Sequence, residues 1–452
     1  MRPGPASLKS LLGIPCLIAC FMLLSACGTA QRPAPSRPNY SYGQEIRDLR
    51  TMPQNLESYL GSDRNQPILS RSEAASAMSK WNTRFFSSWH MSKPSISRKE
   101  AELMLKRKAR GWKNGRSQWQ DHEWQAMRSN AGMNSWPNTN AKGITIRSAN
   151  LREMPTTEGR YSEPTSNPRE NPFDLFQYSR LPMGMPVLLC HKSRDGRWYY
   201  AETPLASGWI AANDLAIVSD SFADAWEGAA KAAFIEENIP LAGGRTGEIG
   251  VVLPSAGANA VMIPTRDSQG YAAMKAVQVP GGSTASMPMT MTPANVASLG
   301  NKMIGQKYGW GGMLGLRDCS SMTRDLMTPF GIWLPRNSQA QARAGNQISL
   351  SGLSGASAKE RAVLAQGVPF ASLLTLKGHV TFYVGSYKGR PVILHDLWGI
   401  RVDEGPGEDD RLIIGRVVVT GMTPGAELPN LHNNSTIGDR FHSLTILGGS
   451  PR

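Results

Sequence analysis

One thiol and two imidazoles carry the chemistry that this chain could do. Cys319 stands in Asp318-Cys319-Ser320-Ser321, directly before Met322-Thr323-Arg324-Asp325-Leu326-Met327, a run that predicts a helix. At a helix start, free backbone N–H groups and the positive dipole end stabilise a thiolate, the form of cysteine that attacks a carbonyl. A nucleophile of this kind needs an acid–base partner. His379 lies in Lys377-Gly378-His379-Val380-Thr381-Phe382-Tyr383-Val384-Gly385, a predicted strand, and His395 in Val392-Ile393-Leu394-His395-Asp396, the predicted next strand. If a turn at Lys388-Gly389 pairs the two strands, His395 can orient His379, giving the nucleophile, base and orienter of acyl transfer. Each residue also has a plain reading, since a lone Cys is more often core and a lone strand His more often a satisfied polar group. No His/Asp/Glu cluster has zinc-ligand spacing, so no metal or other cofactor is expected.

Positioning these residues requires several folded units, and 452 residues at roughly 150 per domain suggest about three. From about Gln44 to Asn130 the chain is helical in character, with Ser72 to Met78 and Arg98 to Lys106 as good helix formers. Trp81, Phe85, Phe86, Trp89, Trp112, Trp119 and Trp124 interleave with bases there; they read as core or interdomain packing, with sugar binding as the alternative. Between about Gly143 and Val218 the pattern changes to short strands. Gly143-Ile144-Thr145-Ile146-Arg147 alternates, Asp195-Gly196 marks a turn, and Arg197-Trp198-Tyr199-Tyr200-Ala201 and Ser207-Gly208-Trp209-Ile210 follow. These residues resemble the closing strands of bacterial SH3-like barrels, which usually bind or position. Gly250 to Pro254 and Ala260 to Pro264 are candidate strands of a second such module. Ser349 to Gln366, rich in Gly, Ser and Ala, reads as an insertion that shapes the groove or simply lies on the surface as a loop.

Residues 1–26 read as a secretory leader, with Arg2 and Lys9 before the apolar run Leu11 to Leu24. Leu24-Ser25-Ala26-Cys27 resembles a bacterial lipobox, which implies acylation of Cys27 and a membrane attachment; Gly28 after it resembles outer-membrane sorting. Residues 27–43, rich in Pro, Ser and Arg, suit a tether. Cys16 and Cys20 leave with the leader, so Cys190 and Cys319 remain. Cys190 lies in Val187-Leu188-Leu189-Cys190, the setting of a buried structural thiol, and no disulfide to Cys319 is expected. The net charge of +14 favours anionic partners such as lipid headgroups, acidic glycans or wall peptides. Nucleic acid does not fit an exported chain without an aromatic-and-basic recognition signature.

Four stretches in order resemble the NlpC family of papain-like cysteine peptidases: Tyr308-Gly309-Trp310-Gly311-Gly312, Asp318-Cys319-Ser320-Ser321, Leu334-Pro335-Arg336-Asn337-Ser338-Gln339, and Gly378-His379-Val380 through Val384-Gly385. The leader and upstream barrels are similar to multi-domain lipoprotein members of that family. The resemblance implies an α+β fold: a papain-like C-terminal peptidase domain, with a helix packed on an antiparallel sheet, behind two small SH3-like β-barrels and a helical N-terminal region. Expected boundaries are 44–140 for the helical stabilising region, 141–219 and 220–290 for the barrels, 291–420 for the peptidase and 421–452 for a C-terminal extension. It further implies a peptidoglycan hydrolase, a cysteine endopeptidase cutting the γ-D-glutamyl bond to meso-diaminopimelate in stem peptides, facing the periplasm. Cys319 would be the nucleophile, His379 the base and His395 the orienting third member. Tyr308, Asp318 and Ser320 match residues lining the pocket beside the nucleophile, where a carboxylate would hold the amine of an N-terminal L-alanine. Asp318 reads equally well as a helix N-cap, and Arg336 as a carboxylate contact or a packing residue. A His379 base would make activity fall in acid, and the first barrel is expected to wall the groove. The contrasting reading is a non-catalytic peptidoglycan-binding lipoprotein with a vestigial hydrolase domain.

Overall fold

The structure, a computed structural model, describes residues 45–449 apart from 104, 108–109, 116, 166–170 and 404–408. The leader, the lipobox Cys27 and nearly all of the tether lie outside the described residues. Among the described residues no helix is long and apolar enough to cross a membrane.

The N-terminal region contains α1 (Arg47–Thr51), α2 (Arg71–Phe85), α3 (Arg98–Ala101) and α4 (Asp121–Ala131). Ser70 and Glu73 start α2 with a reciprocal capping box, which satisfies two otherwise orphaned N–H groups. The helix predicted over Arg98 to Lys106 ends early, at Ala101. Tertiary packing overrides propensity here: Ala101 and Leu105 both turn into a core with Trp119, Trp124 and Trp209. The aromatic stripe is packing between modules. Trp81, Phe85, Phe86 and Trp89 share a core with Ile144, Val187 and Ile210 of the adjoining sheet, and Trp89 Nε1 donates to Gly143 O at 2.8 Å.

That sheet has seven strands, β1 (Ala141–Thr145), β2 (Ala149–Arg152), β3 (Gln177–Leu181), β4 (Pro186–Lys192), β5 (Trp198–Glu202), β6 (Ser207–Ala211) and β7 (Leu215–Ile217), ordered β3-β2-β6-β5-β4-β1-β7. It is the SH3-like unit. Cys190 is fully buried beside Trp198, Tyr200 and Trp209, and both it and Cys319 are free thiols.

After α5 (Asp220–Gly228), residues 231–286 form β8 (Lys231–Phe234), β9 (Ile239–Leu241), β10 (Arg245–Gly247), β11 (Val252–Pro254), β12 (Ala260–Arg266), β13 (Ala272–Gln278) and β14 (Thr284–Ser286). They make three small sheets, β11-β8-β14, β10-β9 and β12-β13.

The C-terminal domain opens with α6 (Pro293–Met303) and α7 (Cys319–Met327), followed by α8 (Ser338–Gln341), β15 (Asn346–Ser349) and α9 (Gly355–Gln366). The remainder is β16 (Ser372–Leu376), β17 (His379–Tyr387), β18 (Arg390–Asp403), β19 (Asp409–Gly421), α10 (Ile437–Arg440) and β20 (Ser443–Ile446), the six strands ordered β15-β20-β16-β17-β18-β19. Met322 and Leu326 of α7 pack on Val380, Phe382 and Leu394 of the sheet, all fully buried. Each such side chain contributes roughly 1.5–3 kcal/mol of burial free energy, so α7 is pinned over β17 and β18. Two sequence expectations change here. The Gly/Ser/Ala-rich insertion is largely helical, because Ala356 to Gln366 are good helix formers and Val363 has an apolar core to enter. The segment 421–452 is no appendage, since β20 pairs between β15 and β16 inside the sheet.

Candidate active site

Asp318 caps α7: its Oδ1 accepts from Ser321 N at 3.0 Å, so Cys319 is the first helical residue. The cap expected of Asp318 is therefore present, and the same carboxylate makes further bonds. Its Oδ2 accepts from Gly311 N at 3.0 Å and from Arg336 Nη2, while Arg336 Nη1 donates to Ser320 Oγ at 2.7 Å. Arg336 Nε reaches Ser179 Oγ of β3 at 2.9 Å. Arg336 thus ties the nucleophile's helix to the SH3-like sheet. Its guanidinium holds the buried Asp318 carboxyl below the usual carboxylate range, so Asp318 is ionised.

The Cys319 thiol is 7% exposed, and the Val380 backbone N–H points at it. Burial first, and then the Asp318 charge, push its pKa up to about 12, outweighing Val380 N–H and Arg336. The thiolate-stabilising setting expected from a helix start is reversed by burial first and then by the neighbouring carboxylate that caps the same helix. Cys319 is therefore a neutral thiol.

His379 begins β17 because Gly378, at φ +82°, closes the turn from Leu376, which pairs with His379 across β16 and β17. Lys388 and Gly389, both at positive φ, turn β17 into β18. The hairpin brings His379 Nε2 within 3.0 Å of His395 Nδ1. His395 is fully buried, and its Nε2 lies 3.0 Å from Thr420 Oγ1 on β19. Thr420 Oγ1 gives its own proton to Gly421 O at 2.7 Å. The hydrogen-bond network therefore assigns the tautomers: His395 Nε2–H donates to Thr420, His395 Nδ1 accepts from His379 Nε2–H, and His379 Nδ1 keeps its lone pair. Replacing Thr420 by Val should free His395 to adopt the other tautomer. The expected outcome is a loss of about tenfold in kcat with KM little changed, measured by steady-state kinetics; full activity would mean that the ring is fixed without Thr420.

Cys319, His379 and Asp396 line one cleft of about 470 Å³ with Tyr308, Trp310, Trp398 and Phe173. Another cleft of similar volume, around Tyr59, Pro67 and Gly385, is lined by neither Cys nor His. Phe173 comes from the SH3-like region and meets Trp310 at 5.4 Å and Trp398 at 5.5 Å between ring centroids, so that region supplies one wall of the groove. The Tyr308 to Gly312 loop is fitted against β3. A Cβ on Gly311, at φ +62°, would meet Gln177 Cγ at 2.6 Å, and one on Gly312, at φ +80°, would meet Arg180 Cβ at 2.4 Å. Glycine is needed at both positions for conformation and for close approach.

Burial pushes the His379 imidazole down to about 4, with the Arg440 charge acting in the same direction, and pushes His395 well below the ordinary histidine range. Burial also raises Asp396 well above the carboxylate range; its two oxygens have no hydrogen-bond partner, and it is a neutral acid. Tyr308, Asp318 and Ser320 all lie by Cys319, but Asp318 and Ser320 are already engaged by Arg336. Sequence reasoning missed Phe173, Thr420 and Gln341. Gln341 braces α7 by donating to Ser320 O at 2.8 Å and accepting from Thr323 Oγ1 at 2.7 Å. Its position two residues beyond the Leu334 to Gln339 stretch was the available signal. Among the described residues no group of His, Cys, Asp and Glu is placed to hold a metal ion.

The NlpC/P60 family matches residues 305–402, the N-terminal NLPC_P60 stabilising domain residues 16–136, and an SH3 domain of the SH3b1 type residues 160–211. A Corynebacterium glutamicum (strain R) protein described as a probable endopeptidase is 29% identical over 140 residues, 30% of this chain; the chain spans only 58% of that relative's length. An NlpC/P60 endopeptidase structure from Photobacterium damselae subsp. piscicida superposes with a TM-score of 0.78 at 22% identity, covering 92% of this chain and 100% of that one. An NlpC/P60 family protein of Bacillus cereus covers 67% of this chain and 98% of its own at 17% identity, with a TM-score of 0.43. A thiol at a helix start over a histidine-bearing antiparallel sheet, behind an SH3-like wall, is thus matched segment by segment, and residues 305–402 are an NlpC/P60 domain carried behind that family's N-terminal stabilising domain and an SH3 domain.

Proposed function

We propose that this chain is a peptidoglycan hydrolase, a cysteine endopeptidase that cleaves the γ-D-glutamyl bond to meso-diaminopimelate in wall stem peptides. The observation that carries the reading is the hydrogen-bonded line His379–His395–Thr420, in one cleft with the Cys319 thiol. As Cys319 Sγ bonds to the carbonyl carbon, its proton passes to His379 Nδ1; the imidazolium returns that proton to the departing amine. Water then attacks the thioester, gives a proton to His379, and the thiol is regenerated as the acid product leaves. Tyr308 lines the cleft, and the buried Asp318 charge beside it favours the free N-terminal amine of the peptide on that side. Cys27, freed of residues 1–26, carries the lipid that holds the domains at the periplasmic face of the outer membrane, and the net charge, +14 for the whole chain and +12 once Arg2 and Lys9 are removed, suits an anionic wall.

The base works only as neutral imidazole, and its pKa lies near 4. Activity, read as kcat/KM against pH, is expected to hold down to about pH 5 and to fall as the pH drops through about 4; a fall centred near 6.5, the unperturbed value, would contradict the buried neutral pair. Stability moves the same way. Between about 6.5, where the unfolded histidines titrate, and the depressed folded values, the unfolded chain binds more protons, so acid destabilises the fold.

The direct test is mass spectrometry of L-Ala-γ-D-Glu-meso-diaminopimelate incubated with the chain lacking residues 1–27, beside its Cys319→Ala variant. L-Ala-D-Glu and free diaminopimelate are expected with Cys319 alone. No cleavage of this or longer muropeptides would favour a peptidoglycan-binding lipoprotein.

A further inference from the structure

One acidic side chain at the cleft takes no part in the transfer of a proton between Cys319 and His379. Asp396 is fully buried on β18, lines the same cleft as those two residues, and keeps both carboxyl oxygens without a hydrogen-bond partner among the described residues. A buried polar group left unsatisfied costs stability. The strand pattern makes an acid there the more unexpected. Side chains two apart on a strand share a face, and Val392 and Leu394 share with Val417, the residue paired with Asp396, the core that holds Cys319, Met322 and Leu326. An apolar residue at 396 would continue that core. A charge on Asp396 acts on Cys319 and on Tyr308, and the charges that act on Asp396 are those of Asp318 and Arg317 at the start of α7, whereas Arg440 acts on His379. Asp396 therefore lies beside the nucleophile on the Tyr308 side. Asp318 is differently placed: it is not among the residues lining the cleft, and its oxygens already accept from Ser321 N, Ser320 Oγ, Gly311 N and Arg336 Nη2. A carboxylate has about four acceptor positions, and those of Asp318 are taken.

We propose that Asp396 is the residue that receives the free N-terminal ammonium of the peptide, with Asp318 acting on that ammonium only through its charge. The ligand class is a peptide with an unblocked amino terminus. This deepens the endopeptidase reading and rests on it. An ammonium brings three N–H donors to two empty carboxyl oxygens, and the rings of Tyr308 and Trp398 that line the same cleft favour a cation over a neutral amide. Burial keeps the lone acid protonated. A cation beside it offsets that effect, so the acid gives its proton to water as the ammonium arrives, and the two are held as carboxylate and ammonium. The unsatisfied acid thus lowers stability in the free chain and is satisfied by substrate, the trade expected of a residue kept for function.

Two peptides test it: L-Ala-γ-D-Glu-meso-diaminopimelate and its propionyl counterpart, which lacks only the amine and adds no bulk. The chain lacking residues 1–27 should prefer the amine-bearing peptide by about tenfold or more in kcat/KM, expressed mainly in KM. The preference should collapse toward unity in Asp396→Asn, which keeps the shape, and in Asp396→Val, which continues the apolar face. Thermal melts should show Asp396→Val at least as stable as the unaltered chain, so that a lost preference is not a lost fold. An undiminished preference in both variants, or none in the unaltered chain, overturns the proposal. The second readout is calorimetric binding of the two peptides to the Cys319→Ala chain, which needs no cleavage. Amine-dependent binding that Asp396→Asn removes in that background supports the Asp396 site even if neither peptide is cut, in which case the endopeptidase reading alone fails. Equal binding of the two peptides, or binding of neither, overturns the site.

Discussion

Alanine at position 379 should lower kcat for the tripeptide by about a thousandfold, within the 10²–10⁴ range typical of a positioned general base. The effect is expected to be large because Cys319 starts as a neutral thiol: burial and the Asp318 charge hold its pKa near 12, so little thiolate exists without a base to receive the proton. His395→Ala should cost less, about 10–100-fold, since it removes the group that orients the base while leaving the base in place. The measurement is steady-state kinetics on the three proteins with thermal melts alongside, so that a loss of fold is not mistaken for a loss of chemistry. If His379→Ala retained more than a tenth of the activity, proton transfer would have to use another group of the cleft, and Asp396 would be the first to examine.

The second large effect concerns stability and lies on the far side of the same helix. Asp325 accepts from Arg317 Nε at 2.9 Å and from Arg324 Nη2 at 2.7 Å, and the side chains of all three are nearly inaccessible to solvent. Arg317 also pairs with Glu237 at 3.0 Å and donates to Ile249 O at 2.8 Å, so this cluster joins α7 to the β8–β14 module. A buried ion pair need not stabilise relative to apolar residues of the same shape, but removing one partner leaves the other charge buried and uncompensated. Asp325→Ala strands the Arg324 guanidinium and takes from Arg317 one of its two carboxylate partners, and should cost about 3–5 kcal/mol, read as a lowered midpoint in urea unfolding. A cost below about 1 kcal/mol would match an exposed pair and would mean that water reaches the cluster. The contrast between the two variants is informative. His379→Ala should lose chemistry and keep the fold, whereas Asp325→Ala should lose stability first and activity only as α7 loosens.

The parts of this protein legible in its sequence are those in which neighbours along the chain decide the outcome. Asp318 before a helix-forming run is a local cap, Gly378 and Lys388-Gly389 are local turns, and alternation around Trp198 and Trp209 marks strands of the SH3-like unit; each needs only a few residues to specify it. Hence Cys319, His379 and His395 could be placed at a helix start and on two adjacent strands before any coordinates. Other features depend on residues far apart in the chain, and only the tertiary structure decided them. Phe173 reaches the cleft from a different module, Thr420 comes beside His395 through the pairing of β18 and β19, and the same pairing sets Asp396 against Val417. The electrostatics follow burial in the same way. The sequence places a thiol at a positive helix end, but the thiol is neutral because folding buries it against an ionised Asp318, itself held charged by Arg336. Propensity and spacing act over a few residues, whereas the charge state of a site depends on everything within several ångströms in space, and the sequence by itself does not say who those neighbours are.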